Sequence, residues 1–383
     1  MLNIWPALPI NIEDGWGKTG VDNTIAALEH RDRVRSINLV HFPGLRRKTL
    51  VAAMQVPFPE LAYLELSSSV GGLLVLPDSF LGGSAPRLRT FWLTNILFPA
   101  LPNLLLSAND LVDLKLDAIP HSGYIPPASM VACLSSLNKL TSLSLGFDSP
   151  LSRPHRPGPP QSRVVLPVLA KLVFDGASEY SEDLLARIDT PVLNQLYITF
   201  FPKPIFDVPH LKEFIDRAKG LKPSKAAELL ISSWIIHLDL QQSCGLSLGV
   251  RHNEFHWQVS SLTLLCGQVS HLFSLVERQS CHTVTPDGRL VALNQFLIFF
   301  QLFTATRSLN VYGDLVPLIA SALQELIGAR ATEALPNLCD LFLWGSAEFG
   351  SIQKVMKPFV DARRLSGQPV AVHYLGEGGR AAQ

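Results

Sequence analysis

Residues 61–66 read LAYLEL, residues 88–93 read LRTFWL and residues 111–116 read LVDLKL. Each is a copy of the phrase L-x-x-L-x-L, carried by Leu61, Leu64 and Leu66, by Leu88, Phe91 and Leu93, and by Leu111, Leu114 and Leu116. The last residues of each copy alternate apolar and polar, the period-2 signature of a short strand with one buried face. A strand this short cannot bury its apolar side alone. Recurrence after 27 and then 23 residues lets the copies stack and share one core. The expected fold class is α/β: a leucine-rich-repeat solenoid, with a curved parallel sheet and outer helices.

The phrase extends outward in both directions. Val34, Ile37 and Leu39 precede it; Leu140, Leu143 and Leu145, then Leu169, Leu172 and Phe174, then Leu193, Leu196 and Ile198 follow at intervals of 29, 29 and 24 residues. Helical spacing lies between them, as in Met130, Leu134 and Leu137 or Leu211, Phe214, Ile215 and Ala218. Ser181 is the expected N-cap of a helix opening with Glu182 and Asp183. Past residue 222 the phrase turns ragged, with expected strands at Leu229–Ile231, Leu238–Leu240, Leu246–Val250, Val259–Leu264 and Leu309–Val311. It returns as Leu338, Leu341 and Leu343, after a helix over Leu315–Ile327 and before one over Ser351–Arg364. The organisation expected is an irregular segment over 1–20, a solenoid over 21–375 and a flexible tail over 376–383. Inside the solenoid lie a proline-rich loop at 150–167 and irregular repeats at 222–310.

Composition narrows the function classes. Thirty-two basic residues balance 32 acidic ones, so no overall field draws nucleic acid or an anionic membrane. The five cysteines are scattered and odd in number, with no CxxC pair, so neither a disulfide framework nor a zinc ribbon is signalled. The start of the chain has no basic n-region and is broken by prolines, unlike a signal peptide. The apolar run Leu293–Phe303 is too short to span a bilayer and contains Gln295 and Gln301. An intracellular protein, cytoplasmic or nuclear, is expected, without nucleic-acid or membrane partners.

Three motifs invite chemistry. Gly17-Lys18-Thr19 resembles the end of a phosphate-binding loop, but that loop needs a glycine where Ile12 stands. Gly245-Leu246-Ser247-Leu248-Gly249 fits a hydrolase elbow, yet Leu246, Leu248 and Val250 alternate straight through the serine, as in a continuous strand. His252 and His256 flank Glu254; on a strand the two imidazoles would stand about 13 Å apart, too far to share one ion. No catalytic, cofactor-binding or metal site is assigned, and the chain is expected not to be an enzyme. A serine hydrolase built on Ser247 is the remote alternative.

Longer phrases carry a resemblance. ALEHRDRV (27–34), LPDSFLGGSAPRLRTFWL (76–93), LPNLLLSANDLVDLKL (101–116), IPHSGYIPPASMVACLSSL (119–137), RIDTPVLNQLYITFF (187–201) and ATEALPNLCDLFL (331–343) resemble, in the expected order, a set of fungal F-box-like proteins with a leucine-rich-repeat region. The resemblance implies a binding role, with an F-box holding the Skp-type adaptor of a cullin ubiquitin ligase and the repeats presenting a protein substrate. This chain begins at the first repeat and the helical F-box expected upstream is absent from it, so no adaptor-contacting residue is carried over. A stand-alone repeat scaffold is the competing reading.

Alternation also says where a partner would sit. The inward leucines leave their neighbours facing out on the concave side of the sheet. The residues expected to bind protein there are Tyr63, Glu65, Trp92, Thr94, Asp113, Lys115, Tyr197 and Trp344. Large aromatics among mixed charges are the residue types that anchor protein interfaces.

Overall fold

The structure, a computed structural model, describes residues 8–14, 21–40, 47–68, 74–148, 162–201, 207–221, 224–231, 235–241, 245–251, 258–283, 293–345 and 349–375. The expectations placed on Gly17-Lys18-Thr19, on most of the proline-rich run, on His252, Glu254 and His256 and on the tail lie outside these residues. The chain forms two compact units, Met1–Leu193 with Glu213–Lys219, and Asn194–Lys212 with Gly220–Gln383. The reading from sequence drew one solenoid over 21–375.

In the first unit the sheet is built from β1 (Ile10–Asp14), β2 (Val34–Val40), β3 (Tyr63–Ser67), β5 (Thr90–Thr94), β7 (Asp113–Ile119), β8 (Ser142–Phe147) and β10 (Lys171–Gly176), all paired in parallel in that order. Two-stranded parallel pairs lie apart from it: β4 (Leu74–Val75) with β6 (Ile96–Leu97), and β9 (Val164–Val165) with β11 (Ile188–Asp189). Helices α1 (Val21–Leu28), α2 (Arg47–Ala53), α3 (Leu101–Ser107), α4 (Pro127–Leu134) and α5 (Ser178–Arg187) fill the connections. Pro102 and Pro127 sit in the first turns of α3 and α4, where a missing N–H costs nothing.

The leucines of the phrase fall into register across this sheet. One inward row runs Ile37, Leu64, Phe91, Leu114, Leu143, Leu172 and the next runs Leu39, Leu66, Leu93, Leu116, Leu145, Phe174. All twelve are buried. Removing one such side chain from water is worth about 1.5–3 kcal/mol. The backbone repeats with the same period. Arg89, Val112, Thr141 and Ala170 each donate their amide to the equivalent residue one repeat earlier at 2.8 Å. Asn95, with φ of 54°, turns the chain out of β5 and its Nδ2 donates to Ser68 O at 2.9 Å, a conformation its short amide side chain tolerates.

The second unit contains β12 (Gln195–Phe200), β13 (Ala226–Ile231), β14 (Ile235–Gln241), β15 (Gly245–Arg251), β16 (Arg278–Thr283), β17 (Ser308–Tyr312), β18 (Asp340–Trp344) and β19 (Ala371–Leu375). Here spatial order departs from chain order: β12 pairs with β15, β15 with β14, β14 with β13 and β13 with β16. The β13–β14 and β14–β15 pairings are antiparallel, and from β16 to β19 the parallel repeat resumes. Helix α6 (Pro209–Arg217) is divided between the two units at Glu213, and the second unit's own helices are α7 (Gln258–Gln268), α8 (Leu293–Phe300), α9 (Leu315–Gln324) and α10 (Phe349–Leu365). Phe299 of α8 packs against Phe303, and Phe303 against Phe273, with ring centroids 5.1 and 5.2 Å apart, all three buried.

Several expectations are corrected. Ile10–Asp14, inside the segment taken as irregular, is a strand paired with β2. Val164–Val165, taken as loop, pairs with β11. Val259–Leu264 is helical, not a strand: Val259, Leu262, Leu265, Cys266 and Val269 are buried at helical spacing, and Leu264, which suggested alternation with Leu262, is exposed. Helix α5 begins at Ser178, so Ser181 lies inside it instead of capping it, and Glu179 is the acid of the first turn.

Candidate functional site

The outward face of the first sheet follows from the same register as its core. Strands β3, β5 and β7 place Glu65, Trp92 and Lys115 side by side in one row, Tyr63, Thr90 and Asp113 in the row on one side, and Ser67, Thr94 and Asp117 in the row on the other. Six of the residues expected to bind protein, Tyr63, Glu65, Trp92, Thr94, Asp113 and Lys115, are therefore gathered on three adjacent strands.

Trp92 is the centre of this patch and is half-buried, not freely exposed. The Tyr63 ring meets it edge-on, with centroids 5.7 Å apart and planes at 63°. Lys115 Nζ lies 6.0 Å from its ring centroid, at the outer range of a cation–π contact. Its indole Nε1 is buried and has no acceptor among the described residues. The Tyr63 hydroxyl donates to Glu65 Oε2 at 2.6 Å. Burial, then the Glu65 carboxylate, hold the Tyr63 phenol well above its ordinary value, so it stays a donor at any physiological pH. Lys115 also reaches Asp117 Oδ2 at 3.8 Å, with both side chains two-fifths exposed, so the pair is loosely held. The result is an aromatic pair with one face fixed by the sheet and a rim of opposite charges around it.

Tyr197 and Trp344 belong to the second unit and do not join this patch. Tyr197, on β12, lies across Gly245 of β15; a Cβ there would come within 2.7 Å of its hydroxyl oxygen. Glycine at 245 is what lets the ring lie down. Trp344 is the end of a stack that sequence reasoning missed. His282, Tyr312 and Trp344 stand on β16, β17 and β18, with successive centroids 4.0 and 5.5 Å apart and planes within 15° and 11° of parallel. Trp344 Nε1 donates to Asn310 Oδ1 at 3.4 Å, and His373 stacks on Phe342 at 4.5 Å while meeting Asp340 Oδ1 at 3.0 Å. The alternation in SLNVY (308–312) points to Tyr312; nothing in RQSCHT (278–283) resembles the repeat phrase, so His282 had no signal of its own.

Ser247 lies in the middle of β15, paired on one side with Tyr197 and on the other with Asp239. The strand–turn–helix of a hydrolase elbow is not formed there. No group of three histidine, cysteine or acidic side chains is placed to hold a metal ion among the described residues. Among those residues no helix is long and apolar enough to cross a membrane.

No family model matches the chain, and no curated protein is significantly similar to it. Among solved structures it is similar to the crystal structure of the leucine-rich repeat-containing protein LegL7 from Legionella pneumophila, at 10% identity, over 98% of this chain and 92% of that one, with a TM-score of 0.27. The strands themselves carry the repeat: leucine-rich, in register and mostly parallel, in an α/β arrangement.

Proposed function

We propose that the chain is a non-enzymatic protein-interaction module that seats a partner protein on the outward face of β3, β5 and β7. The observation that carries this reading is the Glu65–Trp92–Lys115 row with Tyr63 against its tryptophan. Two aromatic side chains already ordered by each other lose little entropy when a partner covers them. The opposite charges beside them give such a partner a register. The finer role is that of the substrate-recognition arm of an F-box ubiquitin-ligase subunit, and its support is the family resemblance of the repeat phrases. A Skp-type adaptor would be held by an F-box and not by the repeats. An intracellular setting, cytoplasmic or nuclear, suits Cys133, Cys266, Cys281 and Cys339, all of them free thiols.

Affinity capture with the full chain, with Trp92→Ala and with Lys115→Glu tests the site. A partner of this face is expected to lose about 2 kcal/mol or more of binding with Trp92→Ala. It should be retained by Lys212→Ala, a change at an exposed position of α6. Partners that are retained equally by all variants would place the interface elsewhere. Ubiquitin-ligase-dependent turnover of the captured partner in cells, lost with Trp92→Ala, separates the ligase arm from a stand-alone scaffold.

A further inference from the structure

Strand β19 of the second unit has, among the described residues, a pairing partner on one side only, β18. In a parallel pair, a residue that bonds to one neighbour turns both its N–H and its C=O to that side, and the next residue turns both away. The Ala371 amide donates to Cys339 O at 2.8 Å and Leu375 O accepts from the Gly345 amide at 3.1 Å, so residues 371 and 375 face β18. Val372, between them, presents its N–H and C=O to the opposite, outer edge. Its side chain belongs to the inward row of Leu309 and Leu341, yet it is only half-buried, with no further strand over it among the described residues.

Beside that edge is a cleft of about 720 Å³, lined by Val372 and Tyr374 of β19 and by Gln353, Lys354, Met356, Lys357 and Val360 of α10. Such a volume is within the range of sites that hold several side chains. Met356, Val360 and Val372 are apolar residues of this lining. The charged residues lining it are Lys354 and Lys357, one helical turn apart, and neither has a carboxylate partner among the described residues. An edge with unused backbone groups, an apolar slot beneath it and two lysines on the slot's wall together describe a receptor for an extended chain of negative charge.

We propose that this edge takes an acidic, extended peptide segment of a partner protein as an additional strand. Main-chain hydrogen bonds to Val372 would fix the segment, an apolar side chain at one inward position would fill the slot over Met356 and Val372, and carboxylates two residues to either side would meet Lys354 and Lys357. The site is independent of the Trp92 patch and does not rest on that reading.

The probe is the fluorescein-labelled peptide TETVTET, titrated by anisotropy with the full chain. Three comparisons accompany it: TKTVTKT, TEPVPET (whose prolines lack N–H donors on either side of the valine) and the double variant Lys354→Glu/Lys357→Glu. Binding of TETVTET, weakened at least ten-fold by either the lysine peptide or the prolines, is the expected result. The double variant should reverse the preference toward TKTVTKT. Both lysines are exposed, so its melting temperature should match wild type; Lys354→Gln alone serves if it does not. Absence of binding overturns the proposal, as does equal binding of TETVTET and TKTVTKT. Equal binding of the proline peptide would show charge attraction without strand addition, and overturns it too.

Discussion

Nη2 of Arg363, near the end of α10, donates to the carbonyl of Leu338 at 2.8 Å, at a side chain that is entirely buried. The same guanidinium donates to Pro336, Ala331, Leu335 and Gln368 carbonyls, at 3.1 to 3.4 Å. Burial pulls its pKa down, but an arginine remains charged well above neutral pH. It ties the turn before β18 to the helix after it, using only backbone acceptors. Lysine cannot span five carbonyls from one ammonium, and methionine would leave them all unmet. Arg363→Lys and Arg363→Met should each cost about 3 kcal/mol in urea unfolding, the range for charge-assisted bonds lost in a buried site.

Leu93, Leu116 and Leu145 occupy one inward row on adjacent strands. Each Leu→Ala change is expected to lower stability by about 2–5 kcal/mol, as buried leucines do when the cavity cannot collapse. Losses below about 0.5 kcal/mol at all three, by chemical denaturation, would show that the repeat register is wrong.

Gln279 is an inward residue on β16, paired between Ala227 and Leu309, with no exposed surface. Neither its side-chain oxygen nor its nitrogen has a partner among the described residues. A buried amide without hydrogen bonds costs about 1–3 kcal/mol. Gln279→Leu, close in volume and lacking the polar atoms, is expected to raise the denaturation midpoint by that order. A lower midpoint would mean that the amide is satisfied in solution.

Burial lowers the pKa of His282, and Glu228, 3.3 Å away, opposes the shift without cancelling it. Its folded value thus lies below that of the unfolded chain, about 6.5. As pH falls through that value the unfolded state takes up a proton first, so the stability held by neutral His282 is complete above it and is lost on acidification. His282→Gln should flatten the slope of unfolding free energy between pH 7 and pH 5. An unchanged slope would assign the acid sensitivity to other groups.

Trp92→Ala also has a structural consequence. Because Tyr63 packs edge-on against the indole, the change is expected to cost about 1 kcal/mol of stability, beyond what an unpartnered surface tryptophan would lose. Thermal melts of Trp92→Ala and Tyr63→Ala, with the double variant closing the cycle, measure the coupling.

The leucine rows of the first unit were legible because strand length, alternation and interval agree, and each copy repeats the same constraint. The six-residue patch was legible for the same reason: once Leu64, Phe91 and Leu114 share a row, Glu65, Trp92 and Lys115 must share the next. Contacts that depend on rotamers, such as Tyr63 to Glu65, carry no periodic signal. Strand β16 was invisible because two of its inward residues are Gln279 and Cys281, which break the apolar pattern. Helix α7 was misread because Leu262 and Leu264 happen to alternate within an apolar helix. The order β12–β15–β14–β13–β16 has no local signature at all, since which strand pairs with which is decided by the whole set of competing partners.

That reordering sets a kinetic boundary in the chain. In the first unit each strand finds its neighbour one repeat away, so a nascent chain can add strands one at a time as they emerge, closing only short loops. Strand β12 instead waits for β15, and between them β13 and β14 must be held back or paired with each other first. Joining this three-strand meander to β12 and β16, through pairings 50 and 52 residues apart (Gln195 with Gly245, Ala226 with Arg278), is thus the step of highest sequence separation in the second unit, where an open strand edge waits and mispairing with another molecule competes with folding. Slowing translation or lowering protein concentration would relieve aggregation at this point, and the first unit would be indifferent to both.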